Sequence, residues 1–173
     1  SSNGSFLLSS SEVADGAEMP VDYTGDGSGA TLPLEWKGIP TGTQGYALIM
    51  DHLDPEGVMK WYWTLYDLPA SLTSLPKNVQ GVGKVGTGFR GQIGYEPPHS
   101  KGPGSKTYVL TLYALSAPLA IQQLPREVNR EVLMAAMKGK VLASSSLHVV
   151  HTSQGSEDSG QTSRKPRRLP SQK

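Results

Sequence analysis

The sequence predicts a mainly β protein of one domain, built from short strands joined by many turns. Three observations lead there. Glycine and proline are abundant, twenty and thirteen among 173 residues, where ordinary chains hold roughly 12% of the two together. Charged residues make up only 18%, against the roughly 25% usual in globular domains and the still higher share in helical bundles. Apolar residues cluster in short runs rich in aromatic and β-branched types, bounded by turn residues. A chain of this length buries roughly 70% of its unfolded surface, enough for a sizeable core. With no cysteine in the sequence, disulfides and thiolate metal sites are excluded.

In chain order, Phe6-Leu7-Leu8 is a short apolar run broken by Ser9–Ser11 and Asp15-Gly16. Residues 20–45 are turn-rich, with Trp36 as the large apolar anchor of a short strand. Residues 46–50 read as a buried strand. Trp61-Tyr62-Trp63-Thr64-Leu65-Tyr66 is the strongest strand, stopped by Asp67-Leu68-Pro69. Residues 108–115 form a third clear strand. Between these two lies a glycine-rich stretch, residues 77–106, of a length that usually signals function. One helix is expected near residues 126–138: Pro125 fits a first turn, Val128, Val132, Leu133, Ala136 and Met137 share a face, and Gly139 is a stop. Residues 141–150 hold a last strand.

Charge divides the chain. Residues 1–151 carry eleven Lys/Arg against thirteen Asp/Glu, whereas residues 152–173 carry five against two. The body therefore lacks the basic surface of a nucleic-acid binder. The reading is a single domain over residues 1–151 and a disordered basic tail over 152–173, whose Ser, Gln and Gly cannot offset ordering entropy. No apolar run approaches the ~18 residues of a membrane-spanning helix. The chain does not start with Met, which points to a removed upstream segment, a signal peptide or a tag; a periplasmic or secreted location is expected ahead of a cytoplasmic one.

Several motifs are weighed and set aside. Gly81-Val82-Gly83-Lys84-Val85-Gly86 matches a dinucleotide fingerprint literally, but no helical pattern follows, and a flexible loop is the better reading. Gly102-Pro103-Gly104-Ser105-Lys106-Thr107 looks like a phosphate loop, yet runs into a strand, not a helix N-terminus. Ser100, His99 and Asp51 or Asp54 make a triad on paper without a nucleophile elbow. His52 and His99 stand too far apart in sequence for a zinc pattern, so neither metal nor cofactor is expected. Asp51-His52-Leu53-Asp54 closes a buried strand, with His52 and Asp54 on one face and Asp51 on the other. The tail cluster Arg164-Lys165-Pro166-Arg167-Arg168 reads as solvated.

The order of the motifs is similar to that of a known family. Phe6-x-Leu8-x-Ser10, Asp15-Gly16, Pro20, Tyr23-Thr24, Asp26-Gly27, Pro33-x-x-Trp36 and Pro40 come first. An aromatic strand ending in Asp67-Leu68-Pro69 follows, then Gly94-Tyr95 before Pro97-Pro98, then Tyr108, and a helix reaching Lys138-Gly139-Lys140. Over residues 5–150 the chain resembles the phosphatidylethanolamine-binding proteins, also called Raf kinase inhibitor-like proteins, in their bacterial branch. The resemblance implies a large antiparallel sheet packed on a smaller one, with few short helices. It also implies a surface pocket for phosphate or a phosphoryl headgroup, lined by an Asp, two His, a Pro pair and a Tyr.

Pro97, Pro98 and Tyr108 match that pattern. Asp54 keeps the second family carboxylate; His52 falls where the first sits, with Asp51 one residue off. Tyr62 and Lys106 replace the two histidines, so a phenol and a permanent ammonium stand in for two imidazoles. The expected ligand-binding set is Asp51, His52, Asp54, Tyr62, Pro97, Pro98, His99, Lys106 and Tyr108. The leading function is a binding protein for a small anion or phospholipid headgroup, with inhibition of a partner kinase or protease implied by the resemblance. The alternative is a hydrolase or isomerase with His52 as base beside Asp54; a third reading is a scaffold acting through the basic tail. Oligomeric state is not legible, and a dimer is the assembly to test.

Overall fold

The structure is a computed structural model that describes residues 5–99 and 103–154. Among these residues, nine strands and one α-helix follow in the order β1 (Leu7–Ser9), β2 (Ala17–Glu18), β3 (Leu34–Lys37), β4 (Gly45–Leu53), β5 (Met59–Pro69), β6 (Ser74–Leu75), β7 (Lys84–Val85), β8 (Pro103–Leu115), α1 (Arg130–Met137) and β9 (Val141–Gln154). Strands β1-β3-β6 form a small sheet, and β2-β9-β8-β4-β5-β7 a large one. Neighbouring strands are antiparallel except for the parallel edge pair β2–β9. This is the mainly β, two-sheet architecture expected.

Side-chain alternation along β4 divides the core in two. Tyr46, Leu48 and Met50 face the small sheet and pack with Leu8, Leu34, Trp36, Leu110 and Leu112. Ala47 and Ile49 face away and pack under α1 with Val128, Leu133 and Met137. β4 is buried on both faces because the small sheet covers one and α1 the other, which is why residues 46–50 read as a continuous apolar run.

Three boundaries differ from expectation. β8 starts at Pro103 because residues 103–107 pair with the end of β9, Pro103 opposite Gln154 and Lys106 opposite His151; their polar side chains conceal the strand. β9 correspondingly passes the expected tail boundary at 152 and ends at Gln154. The tail from residue 155 onward, with its basic cluster, lies outside the described residues. The helix is shorter than its apolar pattern. Pro125–Glu127 is a separate 3₁₀ turn, Val128 is extended at φ −93°, ψ 104°, and α1 begins after Asn129, whose side chain accepts a hydrogen bond from Val132 N. Asn129→Ala should therefore lower stability by about 1 kcal/mol, with Asn129→Asp close to wild type in urea unfolding.

The glycine-rich stretch is packed against the sheet at Gly86 and Thr87. Thr87 N–H and Oγ1–H both donate to the Val128 carbonyl, and Trp61 Nε1–H donates to Thr87 O at 2.9 Å. A Cβ on Gly86 would lie 2.5 Å from both Thr64 Oγ1 and Val128 O. Gly86 is thus a close-approach glycine that lets the loop dock on β5. This corrects the flexible-loop reading of that glycine.

Candidate functional site

Site geometry begins with a fault in the β4–β5 ladder. Met50 pairs with Trp63 and Asp51 with Trp61, so Tyr62 is skipped as a bulge. A bulge re-aims its extra residue: Tyr62 and Trp63 both turn toward the core between the sheets. The bulge also leaves the Tyr62 carbonyl outside the β4 ladder, and it accepts Glu96 N–H at 2.8 Å. That bond ties the Tyr95-Glu96-Pro97-Pro98 loop to the sheet.

His52, Tyr62 and Tyr108 come together here. The His52 ring stacks on Tyr108 at 4.9 Å between centroids, and Tyr62 meets Tyr108 edge-on at 5.1 Å. His52 is 5% exposed and Tyr108 0%. His52 Nδ1 donates to the Thr107 carbonyl at 2.9 Å, because a carbonyl can only accept. In the neutral ring this leaves Nε2 as a lone pair, buried and without a partner among the described residues. The Tyr108 hydroxyl and Glu96 Oε1 are buried and unpartnered in the same way. Burial pushes the phenol pKa of both Tyr62 and Tyr108 up, holding them as neutral O–H groups, and each also feels the Glu96 charge. The two phenol oxygens lie near enough to shift one another, yet Tyr108 lacks a partner at hydrogen-bonding geometry.

The remaining expected residues divide. Pro97 and Pro98 brace the wall: Gly25 N–H donates to Pro98 O at 2.9 Å, and the Pro97 ring closes on Gly29. Tyr95 O–H donates to Tyr23 O at 2.9 Å, fastening the same two loops. Lys106 shares the β8 face of Tyr108, two residues along the strand. His99 is on the rim, with Nε2 3.9 Å from Glu96 Oε2.

Two residues depart from the expected site. Asp54 faces its own turn: Oδ1 accepts from Glu56 N at 3.0 Å and Val58 N at 2.8 Å, and Oδ2 lies 3.5 Å from Lys60 Nζ. Those amides, Val58 first, hold its carboxyl below the usual range. Asp54 therefore closes the β4–β5 turn and does not orient His52 as the base of the enzyme reading requires. Asp51 is on the opposite face, where Arg130 Nε donates to Oδ1 at 2.8 Å and Nη2 to Oδ2 at 3.3 Å. It is separated from His52 by the sheet, as strand alternation dictates. The triad on paper dissolves with it: Asp51 and Asp54 are engaged elsewhere, and Ser100 lies outside the described residues.

The sequence reading passed over Glu96, Arg90 and Arg130. Glu96 carries the one signal available: an acidic residue enclosed between an aromatic and a proline pair in a rigid loop. Arg90 Nε donates to Glu96 Oε2 at 2.9 Å while its guanidinium lies 4.8 Å over the Phe89 ring.

The family model for phosphatidylethanolamine-binding protein matches residues 9–152. The chain belongs to this family. Among relatives, a UPF0098 protein of Methanothermobacter thermautotrophicus is 30% identical over 139 residues, covering 77% of this chain and 89% of its own. One from Aquifex aeolicus is 34% identical over 137 residues, covering 75% and 78%. A solved phosphatidylethanolamine-binding protein homologue of Chlamydia trachomatis superposes with a TM-score of 0.80 at 25% identity, covering 87% of this chain and 99% of its own. YbcL of Escherichia coli shares the fold, with a TM-score of 0.77 at 21% identity over 86% and 99% of the two chains. No helix among the described residues is long and apolar enough to cross a membrane.

Proposed function

We propose that this phosphatidylethanolamine-binding protein family member binds a small oxyanion, phosphate or a phosphoryl headgroup, beside His52, Tyr62, Glu96 and Tyr108. The observation that carries the reading is the convergence of buried polar atoms without a partner among the described residues, His52 Nε2, Tyr108 OH and Glu96 Oε1, on one loop-covered end of the large sheet. Buried polar groups are nearly always paired, and three left open together ask for a ligand. Tyr62 and Tyr108 supply O–H donors, and Lys106 adds a positive charge on the same strand face. Pro97 and Pro98 hold the wall rigid.

Calorimetric titration with sodium phosphate tests this. Binding at millimolar or tighter concentration is expected, weakened about fivefold in Lys106→Ala, as one nearby charge at intermediate dielectric would give. No heat at millimolar phosphate in either protein overturns the reading. An esterase and phosphatase panel on the same sample reports on the hydrolase alternative. A periplasmic or secreted location is proposed with it, supported by a Mycobacterium tuberculosis relative, LppC, whose name calls it a lipoprotein and which is 29% identical over 152 residues.

A further inference from the structure

We infer that Glu96 makes this site selective for an oxyanion that carries its own hydrogen-bond donor. The inference rests on the oxyanion reading and narrows it. It follows from counting donors and acceptors.

Tyr62 and Tyr108 offer hydroxyl donors, which any oxyanion accepts. Glu96 offers the opposite. Its side chain is only 13% exposed, and Arg90 Nε engages Oε2 at 2.9 Å. Oε1 remains buried without a partner among the described residues. The backbone bond from Glu96 N–H to Tyr62 O, 2.8 Å, anchors the residue beside the phenols, and its charge reaches both rings. His52 adds a second acceptor in its neutral form, since Nδ1–H is committed to the Thr107 carbonyl and Nε2 is open.

An ionised carboxylate accepts only. A ligand that also only accepts, such as sulfate or a phosphodiester without other polar groups, would set its oxygens against Glu96 Oε1 and leave that oxygen unsatisfied. Leaving a buried acceptor without a donor carries a desolvation cost, even with Arg90 paired to the other oxygen. Two kinds of oxyanion avoid the cost. One is a singly protonated phosphate or phosphomonoester, whose P–OH donates to Glu96. The other is a zwitterion whose phosphoryl group meets the tyrosines while an attached ammonium meets Glu96. Both share one chemistry, acceptor and donor within a single small ligand.

The test is calorimetric titration of the full chain at constant ionic strength with inorganic phosphate, glycerol 3-phosphate, glycerophosphoethanolamine, dimethyl phosphate and sulfate. Phosphate, the monoester or glycerophosphoethanolamine should bind about tenfold or more tighter than sulfate and dimethyl phosphate. The order of the first three tells whether P–OH or ammonium is the donor. In Glu96→Gln, whose amide both donates and accepts, the preference over sulfate should collapse to within about threefold. Arg90→Gln breaks the exposed ion pair but leaves Oε1, so its preference should persist. Equal binding of phosphate and sulfate to the wild type, or equal weakening of both in Glu96→Gln, overturns the inference and leaves the oxyanion site standing. No binding of any of the five overturns the oxyanion reading and this inference together.

Discussion

Arg130→Ala should lower stability by about 3 kcal/mol at neutral pH, because it strands a buried carboxylate. Asp51 is 11% exposed and Arg130 26%, so the pair lies mostly out of water at the junction of α1 and the sheet. Burial pushes the Asp51 carboxyl above its ordinary range, and the Arg130 hydrogen bond pulls it back. Without Arg130 it moves higher still. A carboxyl raised on folding binds protons more tightly in the folded state, so stability falls as pH rises from the unfolded value through the folded one. The deficit of Arg130→Ala is therefore greatest at neutral pH and shrinks on acidification, as Asp51 takes up a proton. Urea unfolding of both proteins from pH 7 downward measures this. A deficit independent of pH would assign it to lost packing of the arginine stem. Replacing the pair together, Asp51→Leu with Arg130→Met, should recover most of the loss, since the desolvation cost disappears with the attraction.

Tyr108→Phe should separate stability from binding. The Tyr108 side chain is fully buried and its hydroxyl has no partner among the described residues. Removing that hydroxyl relieves a desolvation penalty, so without ligand the variant should be more stable by about 1 kcal/mol. It should also bind phosphate about tenfold more weakly, having lost a donor in a dry setting. The two proteins should exchange order in thermal melts as phosphate is added, because ligand stabilises the folded state in proportion to occupancy. A variant that is less stable without phosphate and binds it normally would show that Tyr108 serves packing alone.

Much of the fold is legible because it repeats a simple period. Residues 46–50 and 61–66 announce strands through runs rich in aromatic and aliphatic side chains. Trp36 announces the small sheet, and Gly139 the end of α1. The start of β8 is not legible: Ser105, Lys106 and Thr107 become a strand only because the end of β9 lies beside them. The start of α1 is obscured for a related reason, since Val128 shares the apolar face but uses its carbonyl to hold Thr87.

The candidate site shows the same division. Local order alone determined that His52 and Asp51 point to opposite faces of β4, because backbone pleating needs no partner. It also determined that Pro97-Pro98 stiffens its loop. Only the tertiary structure decided what these residues meet. Asp54 turns to its own hairpin amides, Asp51 finds an arginine 79 positions away, and a bulge swings Tyr62 onto Tyr108. Glu96 arrives through one backbone bond to a carbonyl that the bulge leaves outside the β4 ladder. Such encounters depend on register and loop closure, which are sums over many weak contacts distant in sequence, and no short stretch of residues encodes them.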